Sequence, residues 1–319
     1  MTVEGEPDRR ADARGAPGQH PDRRADLIGG ALAAAGSLQF GLIVVLGKRV
    51  LERGMTPESM LAFRFGVAAI VLLAVLLVLR RPLLAVPEER VGLALLAMFG
   101  YAVEATFFFT AIQYGTAAAV TLLFYLYPVF VTVGAWLVGR GAPNARTTLA
   151  LGLAVLGAAV VVKSGAGVAI EAAGVVFALA AAVTFSGYLV GTDIVLRRTN
   201  PLTSAAWVSG GASIGLFVFA GISGRFTMPV VPADTWAVLA MGVATAGAFA
   251  CLMGALQRIG AVRTSIVSAT EPLAAAIFGY LMLDETVGIG TAIGGALILG
   301  AAIMASLARG PTPQEQQIT

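Results

Sequence analysis

The sequence has few charged residues, one cysteine and one histidine, and each scarcity excludes a class of protein. Charged residues make up 12% of the 319 positions, about half of the ~25% expected of soluble domains, so a water-soluble fold of this size could not cover its surface. Cys251 alone cannot form an intramolecular disulfide or a cysteine-clustered metal site. His20 lies in the polar N-terminal stretch, which leaves the apolar part without a histidine dyad or zinc site. We therefore expect no enzyme activity, no metal and no cofactor.

Apolar residues dominate what is present. They make up 58% of the sequence, and the mean hydropathy is +0.86. Runs of about 20 apolar residues recur along the chain, and each can span a hydrocarbon core about 30 Å thick. The sequence thus predicts an all-α integral membrane protein with ten transmembrane helices and short loops. The spans are predicted near 27–47, 59–79, 91–113, 117–139, 147–163, 172–192, 203–222, 235–257, 263–283 and 287–307.

Basic residues predict the orientation. Residues 1–25 are polar, without apolar periodicity, and are predicted to be a disordered tail; residues 309–319 form a second tail. Outside the spans, 15 Lys and Arg residues fall on the side of the N-terminus and 5 on the other side. We therefore expect a multi-pass protein of the plasma membrane with both termini cytoplasmic. The net charge of +3 is explained by these loops, so no nucleic-acid partner is expected.

The chain repeats itself internally. Several matched residues are separated by 144 positions, and after a one-residue loop deletion the offset becomes 143. Each unit holds five spans, an odd number, so the second unit enters the membrane from the opposite side. This predicts two inverted five-helix repeats, residues 26–165 and 170–308, an architecture suited to alternating access. The pairs at an offset of 144 are Gly30 and Gly174, Pro57 and Pro201, Gln113 and Gln257, and Pro128 and Pro272.

Local motifs add a family resemblance. The two central prolines lie in FYLYPVF (124–130) and SATEPLA (268–274), the second followed by Leu283-Asp284-Glu285, and Arg64 stands early in the second span. With the repeat length, these make residues 26–308 similar to the drug/metabolite transporter superfamily, in its EamA-type branch. The resemblance implies a secondary carrier, often an exporter of amino acids or related metabolites. It also implies that spans 1–4 and 6–9 line the cavity and that spans 5 and 10 are peripheral.

Three formal charges fall well inside the predicted spans: Arg64, Glu104 and Glu271. A charge at mid-bilayer costs at least about 2.5–3.5 kcal/mol, so each is expected to face inward. Glu104 shares a helix face with Tyr101 and Phe108. There it can bind a substrate ammonium by charge and cation–π contact, or exchange a proton that drives transport. The alternatives are a structural ion pair with Arg64 and a position at the membrane interface.

Arg64 and Glu271 each have two interpretations. Arg64 can hold a substrate carboxylate or reach the membrane interface with its long side chain. Glu271 precedes Pro272, which lacks a backbone donor and leaves a carbonyl one turn earlier open to a ligand or to a hydroxyl such as that of Ser268. Glu271 can therefore form part of a polar pocket, or it can brace the kink.

Further residues are weaker candidates. Four polar or aromatic residues are predicted to line the cavity, and the two matched prolines are predicted to act as hinges, although membrane helices also tolerate proline for other reasons. The lining candidates are Gln39, Tyr125, Tyr188 and Gln257, and the hinge candidates are Pro128 and Pro272.

The function predicted from these observations is secondary transport, with export favoured by the resemblance. No GxxxxGK[ST] phosphate-binding loop is present, so ATP is not the direct energy source. A zwitterionic metabolite is expected between the repeats, contacted by Glu104, Arg64 and Glu271. The alternatives are a flippase for a lipid or lipid-linked sugar, a membrane-embedded enzyme and a sensor. We expect a small-molecule substrate and membrane lipids as partners, with protons as the candidate coupling ion; monomer and homodimer both stay open.

Overall fold

The structure is a computed structural model that describes residues 23–127, 129–131, 133, 145–163, 170–196, 198–229 and 231–308. These ranges are helical and contain no strand, which confirms the all-helical class. The helices are α1 (Arg23–Glu52), α2 (Pro57–Val78), α3 (Pro87–Ile112), α4 (Ala117–Phe124), α5 (Ala145–Lys163), α6 (Ala172–Val195), α7 (Pro201–Ile222), α8 (Pro232–Ser268), α9 (Glu271–Leu283) and α10 (Ile289–Ala308).

Helix length and surface both indicate a membrane environment. Helices α1, α2, α3, α6, α7 and α8 are long and apolar enough to cross a bilayer, and α4, α5, α9 and α10 contain shorter apolar segments. Large apolar side chains cover the outside: Ile222 is 84% exposed and Ile289 is 81% exposed. Apolar side chains on the outside suit contact with lipid. Helices can lie in lipid because they satisfy their backbone groups internally. The protein is a multi-pass membrane protein, and the count of ten spans stays a prediction.

Local sequence explains where several helices begin. Pro57 and Pro201, which are 144 positions apart, each begin a helix, α2 and α7. Proline suits this position because its missing N–H would have no partner in the first turn. The Asn200 side chain accepts a hydrogen bond from the Leu202 amide at 2.9 Å and caps α7. Helix α1 begins at Arg23, inside the segment predicted as a tail, and Asp26 in its first turn favours a helix start there.

Helix α3 is irregular where it approaches the interior. Residues Leu96–Tyr101 form a π-helical segment, in which each backbone bond spans one more residue than in an α-helix. Gly100 lies in this segment, and a Cβ there would be 3.1 Å from the Tyr188 ring. The π-helical segment ends at Tyr101, about one turn before Glu104. The absence of a side chain at Gly100 lets α3 pack closely on α6.

The two halves of the chain pack on each other helix by helix. Helix α1 contacts α8 and α9, α2 contacts α7 and α8, α3 contacts α6 and α7, α4 contacts α6 and α9, and α5 contacts α10. Each of these contacts joins a helix from α1–α5 to a helix from α6–α10. The core therefore lies between the halves, and α5 and α10 pack mainly against each other.

The direction of each helix follows from pairs of contacting residues. Helix α8 runs antiparallel to α1. The chain then reverses, as shown by the contact of Ala274 of α9 with Gly41 of α1. The boundary predicted between spans 8 and 9, at residues 258–262, differs from the structure: α8 continues to Ser268, and the break lies at Ala269 and Thr270. The pairs along α1 and α8 are, in order, Arg53 with Asp234, Gln39 with Gly247, and Gly29 with Ile259.

The helices end at two opposite faces. We call the first the Lys48 face; there Lys48 Nζ donates to the Gly115 carbonyl at 2.8 Å. Gly174, at the start of α6, packs against Tyr114 at this face. Helix α6 therefore begins at the face where α1 ends. We call the opposite face, where α6 ends and α1 begins, the Glu89 face.

Candidate functional site

Three helices bring the three predicted charges together. Arg64 on α2 is 4% exposed, Glu104 on α3 is 6% exposed, and Glu271 is the first residue of α9. The Arg64 guanidinium is close enough to interact electrostatically with both carboxylates. The residues come from both halves of the chain, so a single region between the halves contains all the charges predicted within the spans.

Arg64 is anchored at one edge of its guanidinium. Its Nε donates to Thr245 Oγ1 at 2.9 Å, and the Thr245 hydroxyl donates to the Met241 carbonyl at 2.7 Å, which fixes it as an acceptor. The guanidinium carbon lies 4.7 Å from the ring centroid of Phe65 and 5.4 Å from that of Phe109. Arg64 thus points into the protein rather than towards the interface. Within the described ranges its terminal nitrogens have no hydrogen-bond partner.

Glu104 is buried, and it has no partner among the described residues. No described residue donates a hydrogen bond to its carboxylate, and it forms no salt bridge with Arg64. The alternative of a direct ion pair is therefore not the arrangement in this structure. Neither the Glu104 oxygens nor the terminal nitrogens of Arg64 are among the described polar atoms that are fully buried without a partner, so these atoms keep some accessible surface. This arrangement leaves one group of each sign free for a ligand.

Glu271 lies at a break between helices, held by a tyrosine. Residues Ala269 and Thr270 separate α8 from α9, and Pro272 follows in the first turn of α9. The Tyr125 hydroxyl lies 2.6 Å from the Ser268 carbonyl and 3.1 Å from Glu271 Oε2. The open carbonyl predicted from Pro272 is therefore that of Ser268, and its donor is Tyr125 rather than a serine hydroxyl.

Aromatic rings form a wall beside the charges. The Tyr101 ring centroid lies 5.3 Å from that of Tyr188, 5.4 Å from that of Phe65 and 6.0 Å from that of Phe249. Contacts at 4.5–7 Å between centroids are typical of favourable aromatic pairs. The rings of Tyr101 and Tyr188 thus connect α3 to α6, and their role in lining a cavity stays a prediction.

Phe108 continues this wall on the other side of Glu104. Its ring centroid lies 5.2 Å from that of Phe124 and 5.4 Å from that of Phe109. Phe124 in turn lies 5.2 Å from Phe185, centroid to centroid. The rings around Glu104 thus belong to one connected aromatic group, which supplies several π faces to a bound cation.

The remaining candidates are placed differently. Gln39 lies in the interface of α1 and α8, where its Nε2 donates to the Ala35 carbonyl at 3.0 Å and approaches Cys251 Sγ at 3.6 Å. Gly247 leaves the space that the Gln39 amide fills. Gln257 belongs to α8, but its side chain lies outside the described residues, as does Pro128. The hinge prediction can therefore be examined at Pro272 alone.

Sequence reasoning missed Thr245, the acceptor that anchors Arg64, and Phe249 of the aromatic wall. Both lie on α8, in a stretch whose residues are common in any membrane helix. The repeat held a signal for one of them: an offset of 144 places Thr245 at the position equivalent to Tyr101. A search of the second repeat at positions equivalent to the first-repeat candidates would have found it.

Polar contacts join the halves at the Lys48 face. Lys48 Nζ lies 2.5 Å from Glu285 Oε1, and both oxygens of Glu285 accept from the Ala117 amide, at 3.2 and 3.0 Å. Arg53 pairs with Asp234 at 2.6 Å. In this arrangement Glu285 holds the end of α1 and the start of α4 together.

A different set of contacts joins the halves at the Glu89 face. Glu89 accepts from the Arg198 amide at 2.8 Å and from the amide and hydroxyl of Thr199, at 3.0 and 2.5 Å. Thr203 donates to the Pro82 carbonyl at 2.7 Å. The first turn of α3 thus holds the loop before α7, and the loop after α2 holds the start of α7. In the described part of the chain, no group of three His, Cys, Asp or Glu residues is placed to hold a metal.

Comparison with known proteins decides the family. A model of the EamA-like transporter family matches residues 27–163 and matches again at residues 172–307. The chain belongs to the EamA-like transporter family. This places it in the drug/metabolite transporter superfamily and makes it a membrane transporter, as the motifs predicted. In this transporter the charged and aromatic group described above lies between the two matched segments.

Similar proteins agree with this assignment. The transporter is 27% identical over 210 residues to an uncharacterized transporter of Archaeoglobus fulgidus, covering 66% of this chain and 74% of the relative. It is 24% identical over 275 residues to an uncharacterized transporter of Clostridium kluyveri, covering 82% and 87%. A protein of known crystal structure has the same fold, with a TM-score of 0.61 at 20% identity, covering 89% of this chain and 97% of that chain.

Proposed function

We propose that this transporter is a secondary carrier that exports a small zwitterionic metabolite, such as an amino acid or a related compound. The observation that carries the proposal is the pair formed by Glu104 and Arg64. Both are buried in one region, with opposite charges, and both have hydrogen-bonding capacity that no described residue uses. A ligand with one positive and one negative group would satisfy both.

The chemistry of each group defines its partner. An ammonium can donate to the Glu104 carboxylate and lie over the rings of Tyr101 and Tyr188, which adds cation–π attraction. A carboxylate can accept from the terminal nitrogens of Arg64, because Nε is already occupied by Thr245 and the guanidinium is held in place. A ligand with only one of these charges would leave the other protein charge unsatisfied.

Several features support alternating access between two inverted repeats, residues 26–165 and 170–308. The contact of α1 with α8 corresponds to that of α6 with α3, and the contact of α2 with α8 corresponds to that of α7 with α3. Helix α6 begins at the face where α1 ends. The family model matches twice, once in each half. Matched halves of opposite direction can exchange inward-open and outward-open shapes around a site between them.

Orientation and energy source complete the proposal. The distribution of Lys and Arg favours cytoplasmic tails, and we propose a location in the plasma membrane with the Lys48 face outside. Protons are the proposed coupling ion, because Glu104 and Glu271 both lie in the site and a carboxylate can carry a proton. Both a monomer and a homodimer are compatible with this mechanism, since the proposed site lies within one chain.

Counterflow in proteoliposomes tests the proposal. Vesicles containing the purified protein are loaded with a mixture of the twenty amino acids, and the uptake of each labelled amino acid is measured. Removing a charge-assisted hydrogen bond worth ~1.5–3 kcal/mol lowers affinity about 10–100-fold, and we expect this loss for Glu104→Gln and for Arg64→Gln. Glu171→Gln is the matched control, since that side chain is exposed at the start of α6. Full flux in both site variants for every transported compound would refute this assignment.

A further inference from the structure

We propose that Tyr125 is a positioning residue that links the protonation of Glu271 to the helix break at Pro272. This inference rests on the proposed transport function, in which proton movement drives the carrier. Its basis is geometric: one phenol hydroxyl lies within hydrogen-bond distance of the Ser268 carbonyl and of the Glu271 carboxyl group.

The first partner exists because of Pro272. In a continuous helix the amide of residue 272 would donate to the carbonyl of residue 268, four positions earlier. Proline has no amide hydrogen, so this carbonyl loses its helical donor. At a distance of 2.6 Å the Tyr125 hydroxyl replaces that donor. The side chain of Tyr125, the residue that follows α4 in the first half, therefore completes the backbone of the second half at the break.

The second partner competes for the same hydrogen. Tyr125 has a single hydroxyl hydrogen, while its oxygen can also accept. When Glu271 is protonated, its O–H donates to Tyr125 Oη, and the Tyr125 O–H donates to the Ser268 carbonyl. The Tyr125 hydroxyl then forms a hydrogen bond with each of its two neighbours, the Ser268 carbonyl and the Glu271 carboxyl group. When Glu271 is ionised, it becomes the stronger acceptor and draws the Tyr125 hydrogen. The Ser268 carbonyl is then left without its donor.

This exchange changes the break between α8 and α9. The proton that Glu271 gains comes from water and returns to water, and no covalent bond changes apart from the O–H bonds. Loss of the donor at Ser268 weakens the link between α4 and the break. Since α9 packs on α1 and α4, the protonation state of Glu271 biases how the second half sits on the first.

Other ionisable groups face this site and take part in its charge balance. From α2, Arg64 interacts with Glu271, and from α3 both Tyr101 and Glu104 do so. From α4, Tyr127 lies beside Tyr125, with ring centroids 5.9 Å apart. Helix α1 also packs on α9, but its charged residue there is Lys48, which is paired with Glu285 at the far end of α9. Tyr125 is the group that contacts both the carboxyl group and the break.

Infrared difference spectroscopy of the full chain in lipid, between acid and alkaline conditions, tests the link without requiring a substrate. We expect a carboxyl band that is absent in Glu271→Gln and a tyrosine band that changes at the same pH. Tyr125→Phe should remove the tyrosine band and shift the carboxyl band. Tyr114→Phe is the matched control, because Tyr114 stacks on Phe177 away from the site, and it should leave both bands unchanged. A carboxyl band that is the same in Tyr125→Phe as in the wild type overturns the proposal.

Transport supplies the second readout. We expect flux driven by an imposed pH gradient to fall at least ~10-fold in Tyr125→Phe, and to fall by a larger factor than counterflow without a gradient. Pro272→Ala restores a backbone donor for Ser268, so it should also reduce the response to pH even if Tyr125→Phe folds poorly. An unchanged pH profile in both variants contradicts the link. If the wild-type protein shows no counterflow for any compound tested, the proposed function is contradicted. The infrared result still decides whether Tyr125 links the protonation of Glu271 to the helix break.

Discussion

Gly157 of α5 and Gly294 of α10 touch backbone to backbone. A Cβ added to either residue would lie 2.6 Å from the carbonyl oxygen of the other. Small residues allow such close approach in membranes, where helix association depends on van der Waals packing. The contact accounts for how α5 and α10 pack mainly against each other.

Replacing either glycine should therefore loosen this pair of helices. We expect Gly157→Ala to destabilise the protein by about 1–3 kcal/mol, the usual cost of overpacking, because the methyl group would meet rigid backbone. Thermal unfolding in detergent, followed by size-exclusion chromatography, measures the change. Gly152→Ala is the control on the same helix, since its Cβ would meet open space. Equal unfolding temperatures for the two variants would show that the contact is unimportant.

The Lys48–Glu285 pair should contribute to stability through two partners. Glu285→Gln removes the ion pair and weakens the acceptor at the Ala117 amide. The pair is only slightly exposed, so the cost should lie near ~2 kcal/mol, between the values for exposed and buried pairs. The double variant Lys48→Glu with Glu285→Lys should recover part of this loss in the same unfolding assay.

Its control is the neighbouring acid. Asp284 is exposed and has a positive φ of 54°, a conformation that asparagine tolerates well. Asp284→Asn should therefore leave the unfolding temperature unchanged. If Glu285→Gln were as stable as Asp284→Asn, the ion pair would have no energetic role.

Thr245 should control the position of Arg64. Thr245→Val keeps the shape and removes the acceptor of the Nε hydrogen bond, leaving a buried donor unsatisfied at a cost of about 1–3 kcal/mol. Substrate affinity in counterflow should fall, because the guanidinium is no longer held. Thr121→Val is the control: Thr121 is buried on α4 and donates only to the Ala117 carbonyl of its own helix. Unchanged affinity in Thr245→Val would mean that Arg64 needs no anchor.

Glu89→Gln should destabilise the protein far more than the same change at Glu88. Glu89→Gln replaces an acceptor with an NH₂ group that faces the amides of Arg198 and Thr199. An unsatisfied buried group of this kind costs about 1–3 kcal/mol, so the unfolding temperature should drop. Glu88→Gln, an exposed change one residue away, should have no effect. Equal unfolding temperatures for the two glutamine variants would show that the contacts of Glu89 do not stabilise the packing of the two halves.

Pattern and charge in the sequence predict the class of fold and which charged residues lie in its interior, but not the contacts that these residues make. Apolar runs predict helices, because the backbone groups of a segment in hydrocarbon must form hydrogen bonds within the segment. A charged side chain within a span is costly in lipid. This cost predicts that Arg64, Glu104 and Glu271 all face the interior of the protein. The partner of each group does not follow. Thr245 and Tyr125 become partners through the angle and depth at which helices cross, which depend on glycine contacts such as that of Gly100 with Tyr188.

The π-helical segment of α3 was also beyond prediction. Residues Leu96–Tyr101 contain no proline, and their composition is that of an ordinary membrane helix. The segment packs against α6 and α7, which are distant in sequence. Local composition cannot report such a tertiary effect, although the result sets the approach of α3 to the site.

The Lys48–Glu285 pair belongs to one face only. At offsets of 144 and 143, the sequence has Thr192 and Ala142 at the corresponding positions, and neither carries a charge. Opening the Lys48 face in the proposed cycle separates the two ions of this pair. Dissolved salt screens the attraction between ions. In the proposed cycle, the ionic strength of the compartment that meets the Lys48 face would therefore bias how readily this face opens.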